Sequence, residues 1–340
     1  MRGGITSFRL GIGLVFVLVV ILLILQRKPA GYYLLEPDIA HPVAPLVHVA
    51  GGKPAKGGGD LYFVDVQEEQ PSKLHDAFQW LDPYPAHSWR VKPSTLIPPG
   101  STGSAFVAAE LREMATSQQT AAAVALRYLG YHVGIDPNGV LVNQIILGTD
   151  AAGKLQPTDV IVAVNGKPTP LVSDLQAVMA KVKPKQAVTL RILRGKSTVT
   201  ERIRTVNDGG RALIGFTPAQ SADIKLPRKV AIDSGNIGGP SAGLAFTLEV
   251  LRRLGLNVTH GYRVAATGTI GLDGSVGPIG GISQKTWGVR DAGAQVFLVP
   301  AGQNARRALN LAGPNLKVIP VSSLTQALAA LAALPKLPQK

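Results

Sequence analysis

The 340-residue chain contains no cysteine. It therefore has no thiolate nucleophile, no disulfide, no thiolate zinc site and no iron–sulfur cluster, and any catalysis must come from hydroxyl, amine, carboxylate or imidazole groups. Charge is sparse as well, at 16% of residues, and aromatic side chains make up only 5%. There is no Gly-x-x-x-x-Gly-Lys-Ser/Thr stretch, so these residues hold no Walker-type phosphate loop. His-Glu-x-x-His is also missing, and none of the six histidines (41, 48, 75, 87, 132, 260) stands in a metal-ligand pair, so neither a metal nor a cofactor is expected. The net charge of +14 includes no run of five basic residues and no aromatics interleaved with basic positions. Nucleic acid is accordingly not an expected partner.

What is present begins with an apolar run, Leu10 to Leu25 (LGIGLVFVLVVILLIL), between Arg9 and Gln26-Arg27-Lys28-Pro29. As helix it covers about 24 Å, short of a hydrocarbon core of about 30 Å. Extension back to Ile5, with Arg9 snorkelling to the interface, gives about 31 Å. No small-x-small cleavage site follows the run, which favours an uncleaved transmembrane helix over 5–25 in contact with the lipid bilayer. Basic residues on its two flanks nearly balance, so they do not set its orientation.

Pro/Gly-rich breaks at Pro42–Gly59 and Pro93–Gly103 divide the following stretch. Between them, Asp60–Gln67 reads as a strand and Leu74–Trp80 as a short helix. The acidic region 31–108 carries no chemistry that its residues identify. A helical period runs from Ser104 to Leu129 and closes at Gly130. Strands are expected at Val140–Leu147, Val160–Val164, Val188–Leu193 and Val199–Arg204, with a tight hairpin at Asn165-Gly166. Leu171, Leu175, Val178, Met179 and Val182 share one helix face. The block GVLVNQIILGTDAAGKLQPTDVIVAVNGKP resembles a bacterial PDZ domain, with Thr158 where that family usually has glycine. The resemblance implies a PDZ-like domain at 109–205, including the preceding helix, that binds an extended peptide by strand addition.

The stretch Lys229–Arg253 (KVAIDSGNIGGPSAGLAFTLEVLRR) reads as a strand, a glycine-rich loop and a helix starting at Ser241. Free amides at a helix start favour negative charge, and Gly238 and Gly239 allow the backbone to approach a substrate, so a developing oxyanion could be held beside a serine hydroxyl. Ser241 as a simple N-cap is the alternative. A hydroxyl nucleophile needs a base, and two are available. Asp233 and His260 would complete a serine–histidine–aspartate set. Lys285 lies in the first turn of a helix after Gly280-Gly281, where burial and the helix dipole both disfavour its ammonium form.

GGPSAG, followed 44 residues later by the lysine of PIGGISQK and with Thr267-Gly268 between, resembles the proteolytic domain of Lon-type serine–lysine peptidases. The resemblance implies Ser241 as nucleophile, Lys285 as general base and Thr267 as a hydroxyl that helps hold the lysine, in a domain spanning 206–334. Gly238 stands where many of those enzymes have aspartate, and Thr269 where glutamate is common. The whole order resembles the membrane-anchored, PDZ-containing Lon-like proteases of bacteria, the YlbL type. That implies an α+β multidomain chain with an N-terminal transmembrane helix, a PDZ-like β-rich domain and a C-terminal Lon-type α/β domain. By the same analogy the catalytic domain is extracytoplasmic and the substrates are proteins or peptides; the resemblance to Lon domains, which assemble, implies a homo-oligomer, and the missing Walker loop implies cleavage independent of ATP. Two alternatives are a non-catalytic PDZ-type peptide-binding membrane protein and, since the glycine-rich loop also resembles their phosphate loop, a galactokinase-like small-metabolite kinase.

Overall fold

The computed structural model describes residues 3–54, 56–81, 83–97, 103–335 and 337. Part of the break expected at Pro93–Gly103 lies outside the described residues, as does Arg2 of the N-terminal flank. The principal helices are α1 (Gly3–Arg27), α2 (Gly103–Tyr128), α3 (Val172–Met179), α4 (Gly243–Arg253), α5 (Ile282–Asp291), α6 (Gln303–Leu311) and α7 (Leu324–Ala332).

One expectation is overturned. Among the described residues no helix is long and apolar enough to cross a membrane, so the transmembrane helix over 5–25, and the bilayer contact that depended on it, are not supported. The physical reason lies in the length of the apolar run. Beyond Leu10–Leu25, α1 is interrupted by the polar and basic residues Thr6, Ser7, Arg9, Gln26 and Arg27, and the uninterrupted apolar part spans about 24 Å.

The C-terminal unit is a sheet in which His41–Pro42, Asp60–Phe63, Arg263–Ala266, Val296–Pro300 and Lys317–Val321 lie side by side. The last four are parallel and the first is antiparallel to its neighbour. Val296–Pro300 is buried along its whole length, as a parallel strand covered on both faces must be. Residues from the acidic N-terminal region thus supply two strands of this sheet, and Leu61, Phe63 and Val64 are fully buried in it. A further pairing joins Val47–Val49 to Val230–Ile232. α4 runs through the middle of the core, with every residue from Gly243 to Arg252 buried. At about 1.5–3 kcal/mol for each large apolar side chain, Leu244, Phe246, Leu248 and Leu251 make it a principal source of stability. Its one buried acid, Glu249, is held by Arg252 and Arg253 at 3.0 Å each.

The second unit is the sheet Ser197–Arg204, Ala187–Arg194, Val160–Val164, Gly134–Ile145, Phe216–Lys225, with α3 packed against it. Asn165 (φ +49°) and Gly166 (φ +77°) make the expected tight hairpin between Val164 and Lys167. Phe216–Lys225 completes this sheet by pairing with Gly134–Ile145 from end to end. The unit therefore continues past residue 205. α2 packs elsewhere: Met114, Ala121, Val124 and Ala125 lie in the same core as α4. The boundary drawn between 108 and 109 therefore separates elements that fold together with residues 206–334.

Candidate active site

Ser241 sits in a single 3₁₀ turn, Pro240–Ala242, between the glycine-rich loop and α4. Neither that turn nor α4 has a side-chain cap, so Ser241 is not acting as an N-cap. Its hydroxyl instead meets Lys285, whose Nζ donates to Ser241 Oγ at 2.5 Å. Lys285 lies in the first turn of α5, which starts from Gly281 in the left-handed region (φ +64°), a conformation that glycine adopts without strain. The lysine is only 4% exposed. Burial pulls its ammonium down from 10.5 to about 8, while the nearby carboxylates Asp65 and Glu110 act in the opposite direction.

Thr267 is fully buried at the end of the strand Arg263–Ala266. Its hydroxyl donates to the backbone carbonyl of Ser241 at 3.1 Å, and Gly268 N–H donates to the same oxygen at 2.8 Å. Thr267 thus reaches the serine's main chain. Gly268 O in turn accepts from Leu244 N–H at 3.1 Å, so the Thr267-Gly268 pair fixes both sides of the turn that carries Ser241. Gly268 has φ +145°, and a Cβ there would lie 2.7 Å from Val276. No hydrogen bond among the described residues joins His260 or Asp233 to Ser241; Asp233 accepts from Gly235 N–H, and His260 N–H donates to Asn257.

The loop glycines meet a residue that the sequence did not single out. Gly239 N–H donates to the backbone carbonyl of Glu110 at 2.9 Å, and a Cβ on Gly238 would lie 2.7 Å from Glu110 Cβ. α2 is tied to the same loop by Ser117 Oγ donating to Pro240 O at 3.1 Å and by Gln118 Nε2 donating to Ser234 Oγ at 2.9 Å. Burial and the neighbouring Glu68 push the Glu110 carboxyl up, opposed by Lys285. One helical turn on, burial takes the Glu113 carboxyl to about 8. Glu110 is 131 positions from Ser241, and nothing in local spacing announces it; only an acidic residue on the buried side of an apolar helical stripe hints at it.

Asp38, His41 and Asp65 place ligand-type atoms within 4.8 Å of one another, a set of donors that a divalent cation accepts. His41 Nε2 lies 3.5 Å from Asp38 and 3.3 Å from Asp65.

With this geometry in place, comparison with known proteins is specific. Residues 116–205 match the PDZ domain family, and residues 224–333 match the Lon protease (S16) C-terminal proteolytic domain. The chain carries a PDZ domain and a Lon-type serine peptidase domain. "Lon protease 1" of Sorangium cellulosum is 29% identical over 123 residues, covering 33% of this chain and 15% of that protein. "Lon protease" of Chloroflexus aggregans is 38% identical over 93 residues, covering 26% and 11%. The chain thus spans about a seventh or less of the length of these relatives. Among solved structures, the PDZ domain of an SdrC-like protein from Listeria monocytogenes is 20% identical, covers 24% of this chain and 87% of its own, and has a TM-score of 0.23.

Proposed function

We propose that this protein is an ATP-independent serine endopeptidase that cleaves protein substrates with a Ser241–Lys285 dyad and uses its PDZ domain to recognise them. The observation that carries the proposal is the 2.5 Å contact between the two side chains within a buried setting. A lysine that titrates near 8 is partly neutral at physiological pH, and only the neutral amine can take a proton from the serine hydroxyl. In the reaction Lys285 Nζ accepts that proton as Ser241 Oγ attacks the peptide carbonyl. The resulting ammonium then protonates the departing amine, leaving an acyl-enzyme. Water activated by the regenerated amine hydrolyses the ester and restores both residues. Thr267 and Gly268 support this by fixing the serine's main chain, so that little reorganisation accompanies attack. The absence of a Walker loop within these residues is the ground for independence from ATP.

The test is to incubate the purified full chain, Ser241→Ala and Lys285→Ala with an unfolded protein such as casein, with and without ATP. Cleavage by the parent in both conditions and by neither variant is the expected result. Intact casein throughout would refute the peptidase reading. Phosphoryl transfer from ATP to a small metabolite would favour the kinase alternative.

A further inference from the structure

The first turns of α5 and α6 line one open cavity of about 920 Å³. Each helix starts from a glycine, Gly281 or Gly302, and neither start has a side-chain cap. Both therefore bring unbonded N–H groups, the positive ends of helix dipoles, to its wall. Arg306 and Arg307 also line it, and no aspartate or glutamate does. Neither arginine is in an ion pair among the described residues. An independent sign of a missing ligand is Gln284. It lines the same cavity, is 5% exposed, and its side-chain amide makes no hydrogen bond among the described residues. Its amide therefore faces the open cavity, free to bond a polar ligand atom. Leu35, Trp89 and Val91, from a small antiparallel sheet of Val66–Glu69, Tyr33–Pro37 and Trp89–Val91, give the cavity an apolar wall, and the Arg307 guanidinium lies 5.7 Å from the Trp89 ring.

We propose that this cavity binds a small organic phosphate, its head on the two helix starts and the arginine pair and its planar or apolar body along Leu35, Trp89 and Val91. A tetrahedral oxyanion suits donors that arrive from two helices and two guanidinium groups better than the two coplanar oxygens of a carboxylate. The volume leaves room for a body of nucleoside size beside the head. This site is separate from the peptidase reading and does not depend on it.

The test is calorimetric titration of the full chain with inorganic pyrophosphate and with AMP. Both bind saturably, with AMP the tighter. Substituting Arg306→Ala and Arg307→Ala together weakens both by about tenfold or more, whereas Trp89→Ala weakens AMP alone. Because the chain carries a net +14, a control removes two exposed positive charges elsewhere, Arg191→Ala with Arg202→Ala, and leaves both affinities unchanged. The substituted arginines are exposed, and thermal melts matching the parent verify that the variants fold. No saturable binding by the parent, equal weakening by the control pair, or AMP binding no tighter than pyrophosphate would overturn the proposal.

Discussion

Lys285 Nζ and Ser241 Oγ lie 2.5 Å apart although 44 residues separate them in the chain. The contact exists because a buried lysine is costly unless its nitrogen has a partner, and the Ser241 hydroxyl is its side-chain hydrogen-bond partner among the described residues. Catalysis and stability should therefore oppose each other at this position. Lys285→Met removes the proposed base and is expected to lower kcat by roughly 10²–10⁴-fold. It also removes a buried cation. The folded-state value of about 8 lies below the ordinary 10.5, so the folded protein binds fewer protons than the unfolded chain between those pH values, and the full penalty applies below 8. Lys285→Met is thus expected to be more stable at pH 7, by about 3 kcal/mol at most, with the gain shrinking to nothing above pH 10.5. Denaturant melts at pH 7 and pH 11 check this, and a loss of stability at pH 7 would refute it.

The same titration sets the pH dependence of activity. The neutral fraction of Lys285 falls tenfold per pH unit below about 8, so kcat/KM for a short peptide should rise with unit slope up to about pH 8 and then level. A profile already level from pH 5 would exclude Lys285 as the base.

Glu110 offers a way to move that profile. Its carboxylate stabilises the Lys285 ammonium, so Glu110→Gln should draw the lysine's value lower still and shift the rising limb to more acid pH. Activity at pH 6–7 then increases while activity above pH 9 stays as in the parent. The backbone carbonyl of Glu110 that receives Gly239 N–H is unchanged by the substitution, so an unshifted limb would mean that the carboxylate does not act on the base.

The pattern of legibility follows from what local sequence encodes. Val160–Val164 is observed as expected, and Asn165-Gly166 makes its hairpin, because period-two alternation and a turn dipeptide are local signals. Ser241 and Lys285 stand out in the sequence because both lie beside glycine-rich loops that open helices, and the fold brings their side chains together. Glu110 and Asp65 do not stand out, since their bearing on Lys285 arises from tertiary packing of α2 and of the turn after Asp60–Phe63. The role of the N-terminal region was hidden for the same reason. Its strands join a sheet whose other strands lie some 200 residues away, and register between distant strands leaves no periodic trace. Phe216–Lys225 was missed because Pro218 and a mixed exposure pattern obscure the alternation.

The glycine at 238 is explained by α2. A methyl group there would meet Glu110 Cβ at 2.7 Å, closer than side chains tolerate. Gly238→Ala should push α2 away from the catalytic loop, lower stability by about 1–3 kcal/mol and reduce kcat. Combining it with Glu110→Gly removes the obstructing Cβ and should recover much of the lost activity, whereas additive losses would show that the contact is not the cause.

The extent of the PDZ unit allows a sharper test of substrate delivery. Gly134 pairs with Lys225 at the open end of the sheet, so residues 134–225 leave and re-enter the rest of the chain at neighbouring points. Excising them and joining the ends with a few glycines removes the whole sheet, including Phe216–Lys225, and keeps α2 with its hydrogen bonds to Pro240 and Ser234. Excision ending at 205 would instead leave Phe216–Lys225 without the strand it pairs with. The excised protein should cleave a short peptide with kcat near that of the parent, while its kcat/KM on an unfolded protein falls by about tenfold or more through KM. Equal loss on both substrates would place the PDZ unit in support of the catalytic fold and remove it from substrate capture.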